Sequence, residues 1–289
     1  MSVKSQIPWP AKIAAKIFLS RLPVTSGFWK KVRLFEPGSM DEPAYAYQVF
    51  KKHFDTISRF ASPKKGFSCL ELGPGDSLFT AMITNAFGGE VSYLVDVGEY
   101  ALSDVQQYET MGIFLSEKGL VSRSTGKFRS LEEYLACYSA KYMPEGLASL
   151  KTIPDESVDF QFSHAVLEHI KRSEFLDTMR ELRRIIRSDG AASHRIDLQD
   201  HLSGSLNNLR FSHRMWESDL MSQSGFYTNR IQYSELLDLL RSADFEPTVL
   251  EEDRWPELPL PRSSLSKSFR GIPDDELCVS GFSVHLKPV

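Results

Sequence analysis

The octapeptide Leu70-Glu71-Leu72-Gly73-Pro74-Gly75-Asp76-Ser77 ends an apolar run with an acid inside it, then turns through two glycines into a polar helix start. Phe67 to Leu72 has the length and composition of a buried strand. Gly73 and Gly75 permit backbone angles closed to other residues and let a ligand come close to the main chain. A helix over Ser77–Ala86 follows, and its first turn presents N–H groups without helical partners. Gly88-Gly89 stops that helix. Val91 to Asp96 reads as the next strand, which puts Asp96 at a strand end, 23 residues after Gly73.

The same alternation extends in both directions. Tyr47, Phe50, Phe54 and Ile57 recur at helical spacing, so a helix spans about 43–60, broken by Ser62-Pro63-Lys64-Lys65-Gly66. The stretch 97–145 is long and mixed. Ser130 and Glu133 form a capping-box pattern for a helix near 131–139, and a weak strand lies near 141–147. Val158 to Ser163 is a strand, followed by a short helix ending near Ile170. Ser173 is placed to cap a helix running to about Arg187, which Asp189-Gly190 would end. Ala191 to Asp197 is another strand. A helix near 233–243 precedes strands near 246–251 and 277–286, joined without a long helix, which suggests an antiparallel edge pair. Strands alternating with helices indicate an α/β fold with a parallel sheet covered on both faces. No internal repeat and no second domain boundary is apparent.

The glycine turn is not a dinucleotide fingerprint, because position 78, where a third glycine belongs, is Leu. It also lacks the lysine of a P-loop. Glu71 would repel a phosphate but suits a cofactor carrying a sulfonium cation and an amino-acid moiety. A carboxylate at Asp96 suits the two ribose hydroxyls. A third block runs Ile153-Pro154-Asp155-Glu156-Ser157-Val158-Asp159-Phe160-Gln161-Phe162-Ser163-His164-Ala165-Val166-Leu167-Glu168-His169-Ile170. Taken together, these blocks resemble the class I S-adenosylmethionine-dependent methyltransferases, particularly the subgroup related to small-molecule methylases, over about residues 65–200. The resemblance implies a doubly wound, Rossmann-like sheet of seven strands with the last antiparallel, and S-adenosyl-L-methionine as cofactor. Residue by residue it puts Glu71, Gly73, Pro74, Gly75, Asp76 and Ser77 on the methionine side and Asp96 at the ribose. Ser163, His164 and Ala165 would follow the fourth strand beside the cofactor, with Glu168-His169 on the next turn. Where the family often has an acid after its third strand, this chain has Leu147-Ala148-Ser149-Leu150, so Ser149 or the backbone is expected to serve the adenine.

Methyl transfer is largely a matter of aligning donor and acceptor, and an oxygen acceptor also needs a base. Ligands of open parallel sheets sit outside the carboxyl ends of the strands. The fifth strand ends there in Ser193-His194-Arg195-Ile196-Asp197-Leu198-Gln199-Asp200-His201, the densest polar cluster in the chain. His201 is the first choice for a base, oriented by Asp197 or Asp200, and His164 is the second. A His194/Asp197/His201 metal set is a weaker alternative because its spacing matches no motif, so no metal is expected. His194 as a plain strand residue and Asp200 as a plain helix cap are the simpler readings. Asn207, Asn208, Arg210, Trp216, Phe226, Tyr227, Asn229 and Arg230 make the 202–230 segment polar and aromatic. It reads either as a lid over a hydroxylated acceptor such as a sugar or as a solvated connection.

Composition sets the remaining bounds. The chain has 289 residues, 42% hydrophobic and 25% charged, as in an ordinary globular protein. Its net charge of −4 argues against general nucleic-acid binding. No apolar run approaches the roughly 20 residues of a membrane span, and no signal peptide is evident. Cys69, Cys137 and Cys278 are too few and too scattered for a disulfide framework, so a cytoplasmic compartment is expected. Residues 1–42 form an arm ahead of a 43–289 catalytic domain. The arm carries Lys4, Lys12, Lys16, Arg21, Lys30, Lys31 and Arg33 with no acid before Leu34. It reads as a helical arm packed on its own domain or, alternatively, as a basic amphipathic segment on an anionic membrane. The expected function is therefore methyl transfer to a small-molecule or glycan acceptor, free or lipid-linked. A non-catalytic cofactor-binding regulator is the alternative, and a nicotinamide dehydrogenase is disfavoured by Leu78. Composition is silent on oligomeric state.

Overall fold

The computed structural model describes Pro10, Ile13 and residues 39–61, 63–101, 104–124 and 127–289. Seven strands form one sheet in the order β3-β2-β1-β4-β5-β7-β6. They are β1 (Ser68–Leu72), β2 (Val91–Val95), β3 (Ala140–Met143), β4 (Val158–His164), β5 (Ile186–Asp197), β6 (Phe245–Arg254) and β7 (Val279–Pro288). The first five are parallel, and β7 lies antiparallel between β5 and β6. This is the seven-stranded α/β architecture implied by the resemblance.

Strand alternation divides the core into two layers. Leu70, Leu72, Tyr93 and Val95 point to one face, where they pack with Phe175, Met179 and Leu182 of helix α6 (Arg172–Ile185) and Leu236 and Leu240 of α7 (Tyr233–Arg241). Cys69, Leu94, Phe160 and Phe162 point to the other. There they meet α1 (Pro43–Ser58) and α2 (Phe79–Ala86). α1 begins with Pro43 in its first turn and buries Ala46, Val49, Phe50, His53 and Ile57 along one stripe. The 97–145 insertion contributes α3 (Gln106–Glu117), α4 (Leu131–Cys137) and β3. Its Tyr134 hydroxyl donates to the Leu78 carbonyl at 2.7 Å, tying the insertion to the helix that follows the glycine turn.

Several boundaries differ from the sequence expectations. Ser130 caps α4 as expected, accepting the Glu133 N–H at 3.2 Å, but Glu133 returns to the Arg129 N–H rather than to Ser130. Ser173 caps nothing: α6 starts at Arg172 after an extended Lys171, which makes Ser173 its second residue. Asp189-Gly190 does not end that helix either. Sheet pairing takes over at Ile186, opposite Val158, and resumes at Ala191 opposite Phe160. Asp189 and Gly190 lie within the irregular stretch between, where a Cβ on Gly190 would stand 2.9 Å from the Asp159 carbonyl. A short helix, α5 (Leu147–Lys151), follows β3.

The basic arm lies almost wholly outside the described residues. Ile13 is buried with Leu202, Trp216, Met221, Phe226 and Tyr227. No helix of the described residues is long and apolar enough to cross a membrane.

Candidate active site

The carboxyl ends of β1, β2 and β4 meet through their loops. Gly73, with φ of +75°, fits against Val166, and a Cβ there would lie 2.4 Å and 2.8 Å from the two Val166 methyls. The Gly75 N–H donates to Asp96 at 3.1 Å, and the Val97 N–H donates to the other Asp96 oxygen at 2.7 Å. Gly75, at φ +65°, faces open space. Ala165 also has positive φ (55°), and its N–H donates to the Arg195 carbonyl at 2.8 Å, continuing the β4–β5 ladder past the strand end. The sequence blocks around Gly73, Asp96 and Ser163–Ala165 are therefore one structural edge.

Glu71 lies between Leu94 and Phe162 in the sheet register, on the face covered by α1 and α2. It is 2% exposed, and its Oε2 has no hydrogen-bond donor. Burial pushes its carboxyl up to about 8, the Asp96 carboxylate adds to the rise, and the Thr80 hydroxyl opposes it. Burial also raises Asp96, against the two backbone N–H groups that stabilise its charge. A buried, donor-starved carboxyl beside an open glycine turn fits the positively charged methionine end of S-adenosylmethionine. Asp96 retains acceptor capacity for hydroxyls. Pro74 and Asp76 are buried parts of the turn. Ser77 and Ser149 serve the scaffold: Ser77 donates to the Met40 carbonyl, and Ser149 Oγ accepts the Glu145 N–H at 3.0 Å.

Two sets of histidine contacts occupy opposite faces beyond this edge. Ser163 Oγ and His194 Nδ1 are 2.7 Å apart, a buried pair in which burial holds the His194 imidazole down to about 3. His194 is thus the strand residue of the simpler reading. On the α1 face, His53 contacts Ser193 Oγ at 2.9 Å and His164 at 3.4 Å. Burial first, then the Arg195 and Lys52 charges, holds His164 down to about 4. It is therefore a weak base near neutrality. The sequence reading gave no part to His53, although its place on the buried stripe of α1 was readable.

A polar cluster sits at the ends of β4 and β5. Asp197 accepts the Gln199 N–H at 2.9 Å, and burial raises its carboxyl. The Asp197 N–H donates to Glu168 Oε1 at 3.3 Å. Glu168 is 2% exposed with its Oε2 unpartnered, and burial pushes it up to about 8. His169 and His201 meet edge to face, with ring centroids 4.7 Å apart. His169 Nδ1 lies 2.8 Å from the Tyr227 carbonyl, so it carries the proton and donates. Burial, with His201 adding, holds His169 down to about 4. Asp200 does not orient His201. Its carboxylate accepts the N–H groups of Leu202, Ser203 and Asn207 and the Asn207 amide, all within its own loop.

Segment 202–230 turns inward. Asn208 donates to Thr228 and Trp216 to the Thr228 carbonyl. Asn229 donates to the carbonyls of Leu167 and Ile170, at 2.8 Å and 2.9 Å. Arg230 is buried between Trp216 and Phe269 and donates to the Phe211 carbonyl. The amides and aromatics expected to face a sugar thus build a frame around the 167–169 turn.

Residues 70–193 match the family model described as a methyltransferase domain. No curated protein sequence matches the chain. Among solved structures, the YcgJ protein of Bacillus subtilis is similar over 81% of this chain and 96% of its own, with 15% identity and a TM-score of 0.44. A SAM-dependent methyltransferase from Archaeoglobus fulgidus is similar over 85% of this chain and 94% of its own, with 11% identity and a TM-score of 0.43.

Proposed function

We propose that this chain, whose residues 70–193 match the methyltransferase-domain model, is a class I, S-adenosylmethionine-dependent methyltransferase whose acceptor is a hydroxyl-bearing small molecule or glycan seated at the ends of β4 and β5. The cofactor, when bound, supplies an activated methyl group. Glu71, the Gly73–Gly75 turn and Asp96 hold it, and Ser163 to Ala165 border it. The observation that carries the acceptor reading is the cluster of Asp197, Glu168, His169 and His201 one strand away from the donor turn. Such a cluster orients a hydroxyl and accepts its proton as the oxygen attacks. His201 and Asp197 are the groups assigned to that task, ahead of His164, whose imidazole is too weak a base.

The test combines binding with turnover. Calorimetry gives cofactor affinity, and release of S-adenosylhomocysteine over a panel of hydroxylated small molecules and glycans gives activity. His201→Ala should cut turnover by about 100-fold or more, in line with loss of a general base, while cofactor affinity changes little. Unaltered turnover would remove His201 from the site. Tight cofactor binding with no product from any acceptor would favour a non-catalytic cofactor-binding protein.

A further inference from the structure

The function proposed above gives the proton to His201 and Asp197 and no separate task to Glu168 and His169, although both are held with more care than ordinary surface residues. One ligand atom each from Glu168, His169 and His201 lies within 4.8 Å of the others. We propose that these three residues bind a divalent transition-metal ion of the zinc, cobalt or iron(II) kind.

Three observations carry the assignment. The donor set is two imidazoles and one carboxylate, which suits such ions and not magnesium or calcium. Glu168 is buried, with one oxygen on the Asp197 N–H and the other without a donor. The Tyr227 carbonyl accepts a hydrogen bond from His169 Nδ1–H, leaving Nε2 as the metal-facing nitrogen, the usual outer-shell arrangement of metal-binding histidines. The turn that carries the pair is also fixed from outside. Asn229 donates from its side chain to the carbonyls of Leu167 and Ile170, and its backbone N–H donates to the Glu168 carbonyl at 2.7 Å.

Ligand atoms around a tetrahedral ion stand roughly 3.3 Å apart at the usual bond lengths. A rival explanation is water: a cavity of about 20 Å³ flanks Glu168 and Asp197, room for one molecule. Such a water satisfies the Glu168 oxygen but gives no reason for the two imidazoles to converge on it.

Three protein ligands leave at least one position for water or an acceptor oxygen. The ion itself needs only these residues, whereas its contact with an acceptor rests on the function proposed above. It would change the part of His201, which would act on the hydroxyl through the ion and leave the proton to Asp197.

The experiment uses the untagged full chain, stripped of metal and titrated with Co²⁺, with visible absorption recorded, and then with Zn²⁺ in competition. Cofactor affinity is measured by calorimetry on the same samples. The expected result is one ion per chain, with cobalt bands displaced by zinc. His201→Ala and Glu168→Gln should each weaken binding at least 100-fold while cofactor affinity stays within about twofold. Absent or sub-stoichiometric binding overturns the site, as does binding that survives both substitutions. Should Glu168→Gln fail to fold, the less buried His201 variant decides. Cofactor binding without metal defeats this inference alone. Metal binding without cofactor affinity defeats the methyltransferase reading and leaves the site standing.

Discussion

Glu71→Gln isolates the charge at the centre of the proposed cofactor site. The carboxyl is buried between Leu94 and Phe162 and pushed up to about 8, chiefly by burial. Before ligand binds it is mostly protonated at neutral pH. A cationic ligand favours the carboxylate, so binding must expel the proton, about 0.9 of one at pH 7. Each pH unit below 8 then costs about 1.4 kcal/mol. Cofactor affinity of the natural protein should rise about tenfold per unit between about pH 6 and 8 and level off above. The glutamine variant keeps the shape and cannot ionise, so its affinity follows only the ligand's own titration. The ratio of the two affinities is therefore the quantity to plot. Calorimetry in two buffers of different ionisation heat counts the released proton directly. A ratio flat across that range, or no proton released at pH 7, would refute the argument. Stability carries the same sign. With a folded value above the ordinary 4.5, the contribution of Glu71 is complete below 4.5 and is lost as pH rises through 8. The ligand-free glutamine variant should therefore gain on the natural protein in thermal melts as pH rises from about 4.5 to about 8, and keep that margin above.

Three further outcomes follow from the same geometry. Gly73→Ala places a Cβ between the Val166 methyls at positive φ and should abolish cofactor binding; adding Val166→Ala should restore only part, because the backbone strain of about 1–2 kcal/mol remains. Full recovery in the double variant would show that the conformation is not strained. Asp96→Ala removes the acceptor of two backbone N–H groups as well as the proposed ribose partner, so cofactor affinity should fall at least tenfold by calorimetry. Asp200→Ala strands three backbone N–H groups and an amide and should cost about 2–4 kcal/mol in urea unfolding. A loss below about 0.5 kcal/mol would mean that water replaces those bonds readily.

The donor half was readable because each of its parts has a local cause. Gly73 and Gly75 need positive φ, Asp96 marks a strand end, and the Phe160–Ser163 run alternates as a buried strand must. The acceptor half was less readable because its logic is tertiary. Asn207, Asn208, Asn229 and Trp216 look like ligand-facing groups in sequence, yet their partners are main-chain and side-chain groups of this chain up to about sixty residues away. Asp200 looked like an orienting acid and proved to be a loop staple. Helix ends misled where sheet pairing overrode a local signal: Ser173 and Asp189-Gly190 have the right chemistry, but Lys171 is extended and Ile186 already pairs with Val158.

The fit of Gly73 against Val166 has a kinetic consequence. Val166 is the residue before the turn that carries Glu168 and His169, so the proposed donor loop and acceptor turn share a contact with no slack. A shift of one on filling its pocket must be accommodated by the other. Each substrate should then alter the affinity for its partner, by an equal factor in both directions. Steady-state measurements should show this as a dependence of the acceptor KM on donor concentration, a dependence that Val166→Ala would flatten.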